Sequence, residues 1–433
     1  MNATKENHEE KRSMKKKLFA DFGLLRRNPA FRSVFIARTI SLLGLGMLSV
    51  AVPMQIHALT GDPLKVGTAM AVEGAGMFIG LLLGGVLADR WDRRRLILAA
   101  RFICGLGFVG LAANAWLEAP SLLAIYVLAA WDGFFGALGV TALMACMPVI
   151  VGRENLMQAR AISMVTMRLA TVISPAVGGA LIALAGVGWC YLIAAIGTGL
   201  TLLPLLGLPT MQPQGGEDEH PLRALAQGFR FLVTNAVVAG TAVAGTIVTL
   251  ATAVRVLFPA LAEAQHGPAA AAMAAGLMYS AVPLGATLGA LVSGWTEGLR
   301  RPGRAMLLAG VGACTCVMLL GLAPPLPVSL LLLVAFGYLV SVASLLQYAL
   351  VQGHTPDHYL GRVNGLWTAQ EAGGDALGSV GIGMVGKFAS ALSGVFLFGA
   401  TAAVLGVLML LGCRRLREAP LHSPELAAEQ AAA

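Results

Sequence analysis

Charge is scarce in this sequence: lysine, arginine, aspartate and glutamate together make up 12% of 433 residues, against roughly 25% in a soluble domain. Aromatic residues are few as well, at 6%, while hydrophobic ones reach 57%. A water-soluble chain could not hide so much apolar surface, so lipid must solvate most of it. Cysteine is limited to Cys104, Cys146, Cys190, Cys314, Cys316 and Cys413, all inside or at the ends of apolar runs and without a CxxC pair. Cys314 and Cys316 fall on different helix faces. The six are ordinary core residues, with no disulfide framework or metal site implied. No phosphate-binding GxxxxGK[ST] loop, GxSxG or HExxH occurs, and the polar segments are too short for a nucleotide-binding or output domain. These absences argue against an ATP-driven pump, an intramembrane enzyme and a membrane sensor, and no cofactor or metal is expected. The net charge of +8 comes from short clusters of lysine and arginine between apolar runs, which suits membrane flanks and not nucleic acid.

Glycine is plentiful, 53 of 433, and in membranes small residues let helix backbones approach closely. A span needs about 20 apolar residues. Runs of that kind lie near 33–58, 65–88, 96–117, 121–148, 161–185, 188–209, 237–262, 270–295, 304–323, 327–352, 362–388 and 391–413. The expected fold is therefore an all-α membrane protein with twelve transmembrane helices in two six-helix bundles, 33–209 and 237–413. Segment 1–32 is charged and precedes a run already long enough to span, so it does not read as a cleavable signal. Nine basic residues between Lys5 and Arg32 precede the first span. Arg90, Arg93, Arg94 and Arg95 follow the second, Arg300, Arg301 and Arg304 the eighth, and Arg414, Arg415 and Arg417 the last; the opposite side holds only Lys65 and Lys387. By the positive-inside rule both termini, the linker 210–236 and the tail 414–433 face the cytoplasm. Within the linker, Leu222, Leu225, Phe229 and Leu232 recur at helical spacing, which predicts a helix along the membrane surface.

The halves repeat one another. Gly80-LLL-Gly84-Gly85 returns as Gly285-ATL-Gly289-Ala290 after 205 residues, Ala159-Arg160 as Gly361-Arg362 after 202, and Asn28 as Asn235 after 207. A near-constant offset points to a duplicated six-span unit, with a substrate site where the two units face each other.

Between spans 2 and 3 stands Gly85-VLA-Asp89-Arg90-W-Asp92-Arg93-Arg94-Arg95. It resembles the signature loop of the major facilitator superfamily, and that resemblance implies that Gly85, Asp89, Arg90, Arg93 and Arg94 form a cytoplasmic gating loop. Asp92 stands where the family usually has glycine. Because aspartate tolerates left-handed backbone, the turn is expected to survive. Ser174-Pro175-AV-Gly178-Gly179 in span 5 looks like the antiporter motif of exporters in that family, with Ser174 in place of its usual glycine; simple helix packing explains it about equally well. Longer stretches, from FRSVFIARTISLLGLGMLSVAVPMQI to LGRVNGLWTAQEAGGDALG, are similar to bacterial exporters of the catecholate siderophore enterobactin. The implied function is proton-driven export of an iron-free siderophore through the bacterial inner membrane by a monomer, with a multidrug or other metabolite exporter as the alternative on the same scaffold.

Charges inside apolar runs cost about 2.5–3.5 kcal/mol each at the bilayer centre and persist where they face a cavity or partner. Glu73, Asp132, Glu371 and Asp375 are the candidate proton carriers, with Arg38, Arg168 and Arg255 as charge partners. Low dielectric favours the protonated form of a carboxyl and a nearby arginine the ionised form, so a group passing between such surroundings can take up and release a proton. For Asp132 a pinning ion pair, for instance with Arg168, is as good an explanation as coupling; for Asp375 pinning is the better one. Glu73 and Glu371 depart from what the siderophore-exporter resemblance leads one to expect. One proton moving down 100 mV supplies about 2.3 kcal/mol, enough for roughly a fifty-fold gradient of a neutral cargo. Trp131, Phe134, Phe135, Trp367, Gln370, Gln347 and Tyr348 are candidate cargo contacts, because aromatic faces stack on catechol rings and an amide bonds their hydroxyls.

Overall fold

The computed structural model describes residues 23–152, 154–211 and 230–421. Of the predicted linker helix, Leu222, Leu225 and Phe229 lie outside the described residues, as do most of segment 1–32 and the end of the tail, while Leu232 falls in a helical stretch over 230–234. Within the described residues, twelve helices of 17 residues or more follow one another: α1 (Pro29–Thr60), α2 (Pro63–Arg90), α3 (Arg93–Ala115), α4 (Leu122–Val151), α5 (Leu156–Ala185), α6 (Val187–Leu205), α7 (Ala236–Thr252), α8 (Phe258–Val292), α9 (Pro302–Leu320), α10 (Leu326–Gly353), α11 (Asp357–Phe388) and α12 (Ala391–Gly412). Short helices Gly23–Arg27 and Arg414–Arg417 flank them, and no strand occurs among the described residues. A backbone surrounded by lipid must satisfy its own hydrogen bonds, which leaves helices as the available form for these runs.

Ten stretches are long and apolar enough to cross a membrane. One of them, Ala236–Thr296, takes in both α7 and α8. Its chain turns at Gly267, where φ is +72° and Pro268 follows, a backbone that glycine enters without steric cost. α11 falls outside the ten although it has 32 residues. Asn364, Gln370, Glu371 and Asp375 lower its hydropathy.

Most helices begin a few residues before the apolar runs do, because polar caps lie outside a hydropathy count. Asp62 accepts from the Leu64 N–H at 3.0 Å, Asp92 from Arg95 at 2.9 Å and Ser121 from Ala124 at 3.3 Å. Asn28 and Asn235, matched in sequence, do the same two things. Asn28 accepts from the Phe31 N–H and donates to the Ile150 carbonyl at 2.8 Å; Asn235 accepts from Val237 and Val238 and donates to the His354 carbonyl at 3.4 Å. Each therefore caps one helix and ties it to the end of another. Asn28→Ala and Asn235→Ala are each expected to cost about 1 kcal/mol of stability, at the centre of the range for lost N-caps, read as a lower unfolding midpoint in detergent.

Helix pairing follows one scheme twice. α1 packs on α5 and α6, α3 on α4 and α6, and α2 on α4; α7 packs on α11 and α12, α9 on α10 and α12, and α8 on α10. The halves α1–α6 and α7–α12 meet through α2 with α11 and α5 with α8. Glycines mark the tight crossings. A β-carbon on Gly80 would overlap the Phe134 carbonyl, and one on Gly285 the Val334 carbonyl. The repeated glycine pattern thus serves α2–α4 and α8–α10 alike.

Candidate functional site: charges between the two halves

Four of the intramembrane charges, Glu73, Asp132, Arg255 and Asp375, lie within electrostatic range of one another through Glu73. Glu73 lies ten residues into α2 and Asp132 ten residues into α4, so each carboxyl sits about 15 Å along its helix at 1.5 Å per residue, near the middle of an apolar core of about 30 Å. α2 and α4 touch so closely here that a β-carbon on Gly133 would overlap the Glu73 carbonyl. Asp132 is buried and accepts a hydrogen bond from Cys104 Sγ at 3.1 Å. The cation that acts on it is Arg101 of α3, itself buried, and not the expected Arg168. Arg168 is half-buried on α5 and is not among the charges acting on Asp132. Arg38 of α1 stands within electrostatic range of Arg101.

From the other half, Arg255 donates from Nη2 to Asp375 Oδ2. Arg255 rises from a 3₁₀ turn, Ala253–Leu257, set between α7 and α8; such a turn inside a longer helical run is a common mark of a hinge. Tyr279 of α8 donates its hydroxyl to the Arg255 carbonyl at 2.8 Å and holds the turn. The pair is only partly buried, with 39% of the Arg255 side chain and 26% of the Asp375 side chain exposed. Glu73 lies within electrostatic range of Asp132, Arg255 and Asp375, charges that belong to both halves.

Candidate cargo residues are dispersed. Trp131 donates from Nε1 to the Ile103 carbonyl at 2.9 Å and its ring packs on Phe135, 4.8 Å between centroids; Phe134 meets Phe135 edge-on at 4.9 Å. Trp367 donates to Glu371 at 3.0 Å, and both are on α11. Gln370 beside them has both amide atoms buried without a protein partner. Tyr348 is exposed. Gln347 does not join this group. Its side chain is buried within the second half and donates to the Thr241 carbonyl at 3.1 Å, so it pins α10 to α7.

In the signature loop the side chains of Gly85 and Asp89 lie outside the described residues. Arg90 is exposed. Asp92 is not left-handed: with φ −58° it caps α3, and its second oxygen accepts from the Met211 N–H at 2.9 Å. Arg94 donates to the Leu206 carbonyl at 2.5 Å, and the Arg93 N–H to the Met211 carbonyl at 3.2 Å. The loop is thereby fastened to the end of α6. In the span-5 motif, Ser174 is fully buried, donates to the Ala170 carbonyl at 2.6 Å and fills the space beside Gly46 of α1. Pro175 lies within α5. Gly178 admits Met47 of α1, whereas Gly179 admits Gly276 of α8. Ser174 and Gly178 thus join helices of one half, and Gly179 joins the two halves.

Close contacts between halves lie toward the end of the bundle away from the described termini. Gly67 receives the Ser379 carbonyl, Gly383 the Pro63–Leu64 backbone, and Lys387 pairs with Asp62 at 3.3 Å. His57 Nε2 meets Glu263 Oε2 at 2.7 Å, and these two residues are 206 apart in sequence, the spacing of the repeats. With Glu263 47% exposed, such a contact contributes on the order of 0.2–1 kcal/mol. Glu263→Gln is expected to weaken the contact between the two halves at this end by no more than roughly five-fold, measured as a distance distribution between spin labels on the two halves.

The sequence profile of the Major Facilitator Superfamily matches residues 34–379. The chain belongs to that superfamily. It is 50% identical, over 403 residues, to enterobactin exporters EntS of Escherichia coli, including those of O1:K1 and of O81 strain ED1a; the match covers 92% of this chain and 96% of theirs. Among solved structures, the nucleoside transporter NupG superposes with a TM-score of 0.69 at 14% identity, covering 89% of this chain and 98% of NupG. A bacterial homologue of the human lysosomal transporter Spinster superposes at 0.65 and 15% identity, covering 90% and 95%. These two share the fold. The facilitator family and the exporter relatives make this chain a multi-pass membrane transporter and not an enzyme.

Arg101, Cys104, Tyr279, His57 and Glu263 were not singled out by sequence. Arg101 stands in ILAARFICGLGF, and the rule that a charge inside an apolar run needs a partner would have selected it. Cys104, Tyr279 and His57 carry no such signal, because their types are common in apolar helices or at helix ends.

Proposed function

We propose that this facilitator exports an iron-free catecholate siderophore of the enterobactin class from cytoplasm to periplasm, in exchange for protons, by alternating access. The observation that carries the cargo is the 50% identity to enterobactin exporters across 92% of the chain. Coupling is supported by Glu73, which lies within electrostatic range of Asp132 in its own half and of the Arg255–Asp375 pair in the other. A carboxyl whose neighbours lie on both halves changes surroundings when the halves rock, and its hold on a proton changes with them. Asp132 and Asp375 complete the coupling set, Arg101, Arg255 and Arg38 supply counter-charge, and Trp131, Phe134, Phe135, Trp367 and Gln370 contact the cargo.

The topology that serves this function has twelve crossings in two six-helix units, with both termini in the cytoplasm of a monomer. The doubled pairing scheme and the matched Asn28 and Asn235 caps support the two units, and the arginine distribution supports the orientation. The contacts at Gly67, Gly179, Asp62 and His57 then close the periplasmic end. The deciding experiment removes the gene from its host, starves the cells of iron, and quantifies intact catecholate in medium and cytosol. Loss from the medium, restored by the wild-type gene, is expected. Unchanged secretion in a strain lacking redundant pumps would transfer the proposal to a drug or other metabolite exporter.

A further inference from the structure

We propose that the arginine cluster at the terminal end of the second half is a binding site for the headgroup of an anionic phospholipid. Segments 299–304 and 413–419 supply Arg300, Arg301, Arg304, Arg414, Arg415 and Arg417, with Glu418 the only carboxylate in either. They are brought together by packing. Leu416 is buried in the same apolar cluster as Leu299, Met306 and Leu307, and a β-carbon on Gly303 would overlap the Leu416 carbonyl. The short helix Arg414–Arg417 is thus docked onto the start of α9. A cluster that served only to orient the chain during insertion would need no such docking.

Two of the six cations are engaged within the protein: Arg414 donates to Glu418 at 3.1 Å and Arg417 to the Leu410 carbonyl at 3.2 Å. Arg300, Arg301, Arg304 and Arg415 are exposed. The matching end of the first half is built differently. There Arg94 is taken up by the Leu206 carbonyl and Asp92 by the Met211 N–H, and residues 206–211 hold no cation. Just below the cluster, Leu308 of α9 and Leu408 and Leu411 of α12 are exposed. Guanidinium groups above an apolar face fit a phosphate headgroup above acyl chains. A bidentate guanidinium fork suits phosphate geometry better than an ammonium does, and the cations here are all arginine. The proposal does not depend on which cargo is exported.

The test is binding of cardiolipin to the purified full-length protein in detergent, with phosphatidylcholine as the neutral comparison. An arginine near an anionic lipid surface contributes about a five-fold gain in affinity. The variant R301Q/R304Q/R415Q is therefore expected to bind cardiolipin roughly 100-fold more weakly, with phosphatidylcholine binding unchanged. A control, R26Q/R27Q/R32Q, removes the same charge from exposed positions at the same end of the first half and is expected to keep wild-type affinity. Should the triple variant not fold, Arg415→Gln alone is expected to lose about five-fold. Wild-type affinity in the patch variants, equal losses in patch and control, or equal affinity of the wild type for both lipids would overturn the site.

Discussion

Asp132→Asn is expected to abolish proton-driven accumulation of cargo in inside-out vesicles while the protein remains inserted. The roughly fifty-fold gradient that one proton sustains at 100 mV should fall to none. Asparagine keeps the shape of the side chain and can still accept from Cys104, so the change isolates the charge. It also takes the negative charge from the electrostatic range of buried Arg101, and where such a buried charge is left uncompensated the cost reaches the order of 3–5 kcal/mol. That penalty allows pinning and coupling to be separated. Asp132→Asn/Arg101→Gln removes both charges and is expected to recover the unfolding midpoint but not the accumulation. Recovery of both, or normal accumulation by Asp132→Asn alone, would make Asp132 a structural pin and leave coupling to Glu73 and Asp375.

Gly179→Val is expected to part the two halves at the end of the bundle away from the described termini. A β-carbon at this position would stand 2.5 Å from the Ala272 carbonyl oxygen and 2.7 Å from the Gly276 α-carbon. Both obstacles are backbone, so no side-chain rotation relieves them. Overpacking of this kind costs on the order of 1–3 kcal/mol, borne here by the conformer in which α5 meets α8. The population of that conformer should fall by roughly 5- to 150-fold, read as a longer distance between spin labels at Thr60→Cys and Ser390→Cys in a background without native cysteines. An unchanged distance would mean that the halves do not separate at this crossing. Gly46→Ala, by contrast, collides with Ser174 inside one half, and is expected to lower stability without moving the labels.

Long apolar runs make most helices legible in the sequence, because span length and hydropathy follow from the bilayer. α11 shows why that signal weakens at the candidate site: Gln370, Glu371 and Asp375 lower its hydropathy. The Asn28–Asn235 match was visible as text, yet its meaning, a cap plus a tie to a distant carbonyl, depends on where α4 and α10 end. Asp92 was expected to occupy glycine's backbone conformation and instead caps a helix. Its partner Met211 is 119 residues away, beyond any local pattern. Arg101 and Arg168 stand one helical charge each in apolar runs, and sequence spacing cannot choose between them as the counter-ion of Asp132. Packing chose Arg101, since α3 lies against α4. Gln347 sits among exposed and apolar neighbours on α10, and its burial against Thr241 depends on the crossing with α7.

The most direct test of proton-coupled siderophore export is made on purified protein in liposomes, following catecholate and protons together. With an acidic lumen, iron-free enterobactin should accumulate inside at the expense of the pH gradient, and each addition of cargo should release lumenal protons. Glu73→Gln/Asp132→Asn/Asp375→Asn vesicles should show neither. Catecholate entry that moves no protons would contradict the coupling, and no entry above that of empty liposomes would contradict the cargo.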